Sequence, residues 1–132
     1  MRKMLTLAAS LLLAAPAAGS AQSLEGNWTN PKRSVIVKVE HCGTAYCGTV
    51  SWASAHNREK VADNGRRLVG VRILTDLRPI GGGQFKGQAY EPKRNIKGSA
   101  TVRQLGSNTM VVKGCAVLGL FCKEQRWTRV VD

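Results

Sequence analysis

The stretch Val111-Val-Lys-Gly-Cys-Ala-Val-Leu-Gly-Leu-Phe-Cys-Lys-Glu-Gln-Arg-Trp-Thr-Arg129 decides the fold of this chain, because two strand-like runs flank a loop bounded by two cysteines. The second run alternates, which places Trp127 and Arg129 on one face of it. Cys115 and Cys122 are close enough in sequence to be joined across such a hairpin, and the bond needs an oxidising compartment. The stretch therefore predicts a disulfide-stapled β-protein.

The first 21 residues have the order of a secretory signal peptide: the basic Met1-Arg-Lys-Met4, an apolar run over residues 5–18, and the small residues Gly19-Ser-Ala21. A transmembrane anchor is the rival interpretation, but the run is shorter than the roughly 20 apolar residues that a spanning helix needs. We expect cleavage after Ala21. Residues 22–132 then form a single β-barrel domain that is periplasmic or secreted.

The charge of the chain is strongly positive, with a formal net value of +12. Arg2 and Lys3 lie in the signal, so 18 basic and 8 acidic residues follow it, a net charge of +10. Many exported proteins are simply basic and soluble, whereas the sharper interpretation is attraction to an anionic partner. Export makes nucleic acid a poor partner. Anionic lipid, a cell-wall polymer or an acidic small ligand remain.

The four cysteines form two close pairs, Cys42 with Cys47 and Cys115 with Cys122. Four cysteines allow three connectivities, and spacing favours the two local bridges. A zinc site that also uses His41 is the alternative. We reject it because neither spacing is the Cys-x2-Cys of zinc sites and because export favours oxidation.

Two-residue alternation broken by turns predicts about eight strands and no helix. The predicted strands cover residues 26–29, 34–40, 46–53, 68–77, 84–90, 96–105, 109–113 and 124–130. Between them, residues 54–67 are interpreted as a long polar loop and residues 78–83 as a turn. In the third strand, Trp52 is expected to share a face with Val50.

Eight sequential strands with short connections favour a small antiparallel up-and-down barrel over a sandwich, because closure removes the exposed edges. A barrel of this strand number is either filled by side chains or holds one small ligand. Which of the two applies decides between a binding module and a solid scaffold.

An ordered set of motifs resembles a family of secreted bacterial proteins known as domain of unknown function 2147. The motifs are Gly26-Asn-Trp28, Ser34-Val-Ile-Val with Cys42 and Cys47-Gly48, Leu68-Val-Gly70, Gly87 to Tyr90-Glu-Pro92, Gly114-Cys115 and Gln125-Arg-Trp127-Thr-Arg129. The chain departs from the family pattern at Arg67, at Phe85 and in residues 54–64. The resemblance implies a small exported barrel, similar in shape to lipocalins, with no established activity.

The Gly26-x-Trp28 element is also similar to the lipocalin start motif. That similarity implies a tryptophan at the closed end of the barrel, beneath an arginine from the last strand. Arg129 is the first candidate for this arginine because it shares a face with Trp127, and Arg126 is the second. Gly26, Trp28, Trp127 and Arg129 are therefore the expected barrel-closure residues.

Successive loops of an up-and-down barrel alternate between its two ends. The end opposite the start of the Trp28 strand is expected to collect eight basic residues, which form the candidate mouth for an anionic ligand: Lys32, Arg33, Arg58, Lys60, Arg66, Arg67, Lys93 and Arg94. Only Glu59, Asp63 and Glu91 oppose them there. A ring of one sign focuses the electric field on whatever enters.

The chain carries no recognisable catalytic motif. His41 and His56 stand in no nucleophile or metal pattern, and Gly81-Gly-Gly83 precedes a strand rather than the helix of a phosphate-binding loop. Glu40 and Asp76 are expected at the end opposite to Glu91, so no acid–base pair forms. We expect no catalytic residues, no metal and no cofactor. A non-enzymatic protein is favoured, and a hydrolase is the alternative.

The sequence thus predicts an exported small β-barrel that binds a small apolar, lipid-like or anionic ligand. The alternative is a solid, disulfide-stapled barrel whose basic surface contacts an envelope polymer, a membrane surface or a protein partner. An open apolar cavity would favour the first class, and a fully packed interior the second. The sequence indicates neither the ligand nor the oligomeric state.

Overall fold

The computed structural model describes residues 23–63, 65–116 and 119–131. The predicted signal peptide, residues 1–21, lies outside the described residues. Eight antiparallel strands form a closed barrel in sequence order, and β8 pairs back onto β1. The strands are β1 (Gly26–Thr29), β2 (Val35–Cys42), β3 (Ala45–Ala53), β4 (Arg72–Gly81), β5 (Gln84–Glu91), β6 (Ile96–Gln104), β7 (Thr109–Ala116) and β8 (Phe121–Arg129), with helix α1 (Ala55–Ala62) between β3 and β4.

This architecture confirms the predicted antiparallel up-and-down barrel of eight strands. Both predicted disulfides are also confirmed, Cys42–Cys47 across the β2–β3 hairpin and Cys115–Cys122 between paired residues of β7 and β8. β7 and β8 are longer than predicted and extend up to the second bridge.

The expected polar loop over residues 54–67 is wrong in its first half, which forms α1. Ser54 caps the helix by accepting a hydrogen bond from the Asn57 backbone N–H at 3.3 Å. In the turns that follow, Ala, Arg, Glu and Lys are strong helix formers. The sequence shows no helical periodicity of apolar residues here, because α1 has eight residues and buries Val61 alone.

The fourth strand is displaced relative to the prediction of residues 68–77. Leu68 is buried beneath α1, and Gly70 turns the chain with φ 92° before β4 begins at Arg72. Most of the predicted turn over residues 78–83 is strand, since Pro79 pairs with Phe85. Pro79 is tolerated there because the β3–β4 pairing has already ended at Leu77, so its missing N–H costs no bond on that side.

Trp52 does not share a face with Val50. The β2–β3 register passes from Val37↔Val50 to Ile36↔Trp52, so Ser51 is an extra residue in a bulge. The bulge turns Trp52 outward, where it is 47% exposed.

The barrel has two unlike ends. The closed end carries residues 23–25, which precede β1, and the turns at 43–44, 82–83 and 105–108, none of which includes Lys or Arg. The open end carries residues 30–34, 54–63, 65–71, 92–95 and 119–120. The main core fills the barrel towards the closed end, with Leu24, Trp28, Val39, Leu77 and Met110 buried.

A second, smaller core lies at the open end beneath α1. Val61 of the helix packs with Val50, Ala53 and Leu68, and these four side chains form a separate buried cluster. The helix is further tied to the β1–β2 loop, because Asn57 Nδ2 donates to Ser34 Oγ at 2.9 Å. α1 therefore covers one side of the open end.

Candidate functional site

The closed end is built around Trp28, which is fully buried. Its indole Nε1 donates to the carbonyl of Leu24 at 2.9 Å, which holds the segment before β1 at the barrel base. The guanidinium of Arg129 lies over the indole ring, with Cζ 4.3 Å from the ring centroid. β1 and β8 bring the two together, since Trp28 and Arg129 are paired residues.

The other closure candidates occupy different places. Gly26 has φ 136° and lies so close to Arg129 Nη1 that an added Cβ would collide with it. Arg126, the second candidate, is exposed and paired with Val111 on the opposite face of β8. Trp127 is buried further towards the open end, where it lines two cavities.

Two neighbouring cavities occupy the open half of the barrel. The larger has a volume of about 680 Å³ and the smaller, next to α1, about 290 Å³. Ile73, Tyr90, Glu91, Gln125 and Trp127 line both of them. The interior is therefore filled near the closed end and open near the other.

Small residues form one part of the wall of the larger cavity. Ala89 on β5, Gly98 on β6, and Gly114 and Ala116 on β7 all line it. At the same depth on the other strands, Ile73, Leu74 and Val112 supply an apolar wall. Together these residues give the larger cavity a largely apolar wall, and we call this cavity the cup.

The cup holds a few polar groups on one side. Lys123, Gln125 and Trp127 occupy every second position of β8 and therefore share one face. All three line the larger cavity. Trp127 Nε1 donates to Gln125 Oε1 at 3.1 Å, which fixes the amide against the wall. Arg94 lies at the rim, and Glu91 accepts the Arg94 backbone N–H through Oε2 at 2.5 Å.

All eight predicted mouth residues lie at the open end, but only three of them line a cavity. Lys60 and Lys93 border the smaller one, and Arg94 borders the larger. Arg66 has a bridging position, since its Nη1 donates to the Pro92 carbonyl at 3.2 Å and so links the α1 segment to the β5–β6 turn. The remaining four are exposed around the end: Lys32, Arg33, Arg58 and Arg67.

Sequence reasoning missed Lys123 and Gln125. The signal was present, because the alternation that puts Trp127 and Arg129 on one face of β8 puts residues 123 and 125 on it as well. Polar residues at these positions contradict a filled barrel and indicate an open, polar-lined stretch of wall.

The histidine and acidic residues that could take part in catalysis lie at different ends of the barrel. At the closed end, His41 pairs with Glu25 at 3.1 Å and stacks on Tyr46, while Asp76 pairs with Arg78 at 2.8 Å. Glu91 lies at the open end. Across residues 23–63, 65–116 and 119–131, no three His, Cys, Asp or Glu side chains cluster as a metal site requires. No helix in this part of the chain is long and apolar enough to cross a membrane.

Comparison with known proteins agrees with this geometry. A similar solved structure is described as protein HP1028 from the human pathogen Helicobacter pylori, which belongs to the lipocalin family; the match has a TM-score of 0.67 at 18% identity and covers 84% of this chain and 85% of that chain. At this identity the likeness shows the fold alone. No curated protein matches the chain in sequence. The family described as "Uncharacterized protein conserved in bacteria (DUF2147)" matches residues 26–129, so the chain belongs to that family.

Proposed function

We propose that this protein is a non-enzymatic binding module whose open cup takes a small amphipathic anion, the apolar part inside and the anionic group at the rim. The observation that carries the proposal is the larger cavity of about 680 Å³, which is apolar in depth and basic at its rim. Ligand cavities in proteins have volumes of roughly 300–1,000 Å³ and a few well-placed polar groups. The lipocalin-like barrel supports the same class of function.

The direction of the ligand follows from the positions of the charges. Leu74, Val112 and Trp127 belong to the main core, so they form the apolar floor. Lys123 and Arg94 line the upper wall, where an ammonium and a guanidinium suit a carboxylate or phosphate group. Glu91 is the acid among the residues that line this cavity, so the cationic groups outnumber it.

The location that we propose for this activity is the cell envelope. Two disulfides in a bacterial protein point to an oxidising location outside the cytoplasm. We infer that the signal peptide is removed after Ala21 and that the barrel acts in the periplasm or outside the cell. Amphipathic anions such as fatty acids or phospholipid fragments are available there.

A binding assay with a fluorescent fatty acid, cis-parinaric acid, and its uncharged methyl ester tests the proposal. The acid should bind about ten-fold more tightly than the ester, because two rim cations contribute up to about 1 kcal/mol each. The double variant Arg94→Gln with Lys123→Gln should remove most of that difference. Lys113→Gln, on the outer face of β7, is the matched control and should change nothing.

The cavity itself is tested by Gly114→Val. A Cβ at Gly114 meets only ordinary contacts, with Ala89 Cβ at 3.7 Å, so the variant should fold and fill the cup. We expect at least a ten-fold loss of affinity for both probes with unchanged stability. Equal binding by this variant and the parent would overturn the proposal. Native mass spectrometry of protein purified from its own envelope fraction would identify the retained ligand.

A further inference from the structure

The rim of the larger cavity has an exposed apolar stretch that the packing does not use. Leu120 is 77% exposed and Phe121 70% exposed, and both stand where the chain turns into β8. Ile96, at the start of β6, is 37% exposed and lines the same cavity. We call these three residues the apolar rim.

Basic side chains lie at the same end of the barrel as the apolar rim, and two of them, Arg94 and Lys123, line the same cavity. Lys123 follows it on β8, and the eight basic residues of the loops 30–34, 54–71 and 92–95 lie at the same end of the barrel. Glu59, Asp63 and Glu91 are the acidic residues of these loops and of the adjoining end of β5. By contrast, the turns of the closed end carry no Lys or Arg.

We propose that the open end docks on an anionic lipid bilayer, with Leu120 and Phe121 inserted below the headgroups and the basic loops against them. Exposed aromatic and aliphatic side chains flanked by Lys and Arg are the combination that binds membrane surfaces. The cations alone would give weak, salt-sensitive attachment, and the apolar side chains alone would not select anionic lipid.

A second copy of the chain fits this surface poorly. Two open ends placed face to face would bring together two sets of eight basic loop residues, each set opposed by Glu59, Asp63 and Glu91. Like charges at this density repel. The charge therefore favours an anionic partner over self-association.

Docking by this end has a geometric consequence. Ile96, Leu120 and Phe121 all line the larger cavity, so a bilayer held by the apolar rim would face the mouth of the cup directly. An amphipathic molecule could then pass between bilayer and cup. Docking itself does not require the cup to be occupied, so it stands independently of the proposed ligand.

Co-sedimentation with vesicles tests the docking. The parent protein should bind vesicles that contain one-third phosphatidylglycerol at least ten-fold more tightly than vesicles of phosphatidylcholine alone, and the difference should shrink as salt shortens the screening length towards about 3 Å at 1 M. Leu120→Ser with Phe121→Ser should weaken binding to the anionic vesicles by about ten-fold or more. Ile80→Ser is the matched control, because Ile80 is 56% exposed near the closed end.

The electrostatic part is tested with residues that line neither cavity. Arg58→Gln with Arg67→Gln should weaken binding by about five- to thirty-fold, since each surface cation contributes roughly 1 kcal/mol at an anionic leaflet. Lys86→Gln with Arg103→Gln removes the same charge near the closed end and should have a much smaller effect. Gly114→Val should bind vesicles like the parent, which separates docking from ligand capture.

Three results would overturn the docking proposal. The first is equal binding to the two vesicle types, and the second is a Leu120→Ser, Phe121→Ser variant that behaves like Ile80→Ser. The third is a parent dimer, measured by light scattering, that becomes monomeric in the double variant, because it would assign the apolar rim to a second copy of the chain.

Discussion

Arg129 closes the base of the barrel by binding three backbone carbonyl groups while it covers the ring of Trp28. Its Nε donates to Ser107 at 2.7 Å and its Nη2 to Ser23 at 2.9 Å, and Nη1 donates to Glu25. One side chain of β8 thereby connects the segment at residues 23–25, the β6–β7 turn and the buried indole. Arg129 and the groups that it contacts, which we call the hub, stabilise the closed end of the barrel.

Arg129→Met should therefore be the most costly substitution of a charged residue in β8. It removes three charge-assisted hydrogen bonds and the cation–π contact, and we expect a loss of about 2–4 kcal/mol in the free energy of unfolding. Urea denaturation measures the loss. Arg126→Met, which removes an exposed arginine three residues earlier, should stay within about 0.5 kcal/mol of the parent. Equal effects of the two variants would show that the hub does not stabilise the fold.

Gly26→Ala should destabilise the same end for two reasons. Its φ of 136° is strained for a residue with a side chain, and the new Cβ would collide with Arg129 Nη1. Gly43→Ala is the matched control, because Gly43 has φ 67° and open space around it, so it carries the backbone cost of roughly 1 kcal/mol alone. We expect Gly26→Ala to cost at least about 1 kcal/mol more in thermal or urea unfolding.

A double-mutant cycle separates the two causes. In an Arg129→Met background the collision is relieved and the backbone cost remains, so Gly26→Ala should become less damaging. The same cost in both backgrounds would leave the glycine explained by its backbone angle alone.

Much of the fold follows from residues that obey one simple rule. Two-residue alternation predicts the strands, and the spacing of Cys42 with Cys47 and of Cys115 with Cys122 predicts the bridges, because both are local features. The errors occur where local rules break. The bulge at Ser51 turns Trp52 outward, and α1 is too short and polar for its periodicity to be seen.

The candidate site is harder to predict than the fold, because the cavity depends on where small residues stand in the barrel wall. Gly98 and Gly114 appear in the sequence as strand-weakening residues, and only the folded barrel shows that both line a cavity and that Gly114 leaves room in it. To predict which loops lie at which end of the barrel, and therefore which basic residues share an end, only the number of strands is required. Which of them line the cavities depends on α1, whose packing on Val50 and Leu68 is a long-range feature.

Arg66→Ser should loosen the cover that α1 forms over the open end. The variant loses the hydrogen bond to the Pro92 carbonyl, which contributes about 1–2 kcal/mol for a charged donor. Hydrogen exchange should then rise at the backbone amides of α1 while those of β7 stay protected. Arg67→Ser removes a neighbouring exposed cation of the same charge and should leave the exchange of α1 unchanged.

The two disulfides should differ in how readily they are reduced. Cys47 is 1% exposed within the β2–β3 hairpin, whereas Cys122 is exposed and both cysteines of the second bridge border the larger cavity. A mild phosphine reductant should therefore open Cys115–Cys122 first. Peptide mapping after partial reduction and alkylation measures the order, and earlier labelling of Cys42 and Cys47 would contradict it.

Removing the Cys115–Cys122 bridge should cost stability without abolishing the fold. In the chain-entropy treatment, a loop this short constrains the unfolded chain by roughly 2–3 kcal/mol, and the β7–β8 ladder remains to hold the strands together. Cys115→Ser with Cys122→Ser should lower the free energy of unfolding by about that amount. Reduction of this bridge in the parent should lower the free energy of unfolding by a similar amount. In the double variant, a reducing agent can act only on the Cys42–Cys47 bridge. If the variant unfolds with the midpoint of the oxidised parent, the bridge does not stabilise the rim.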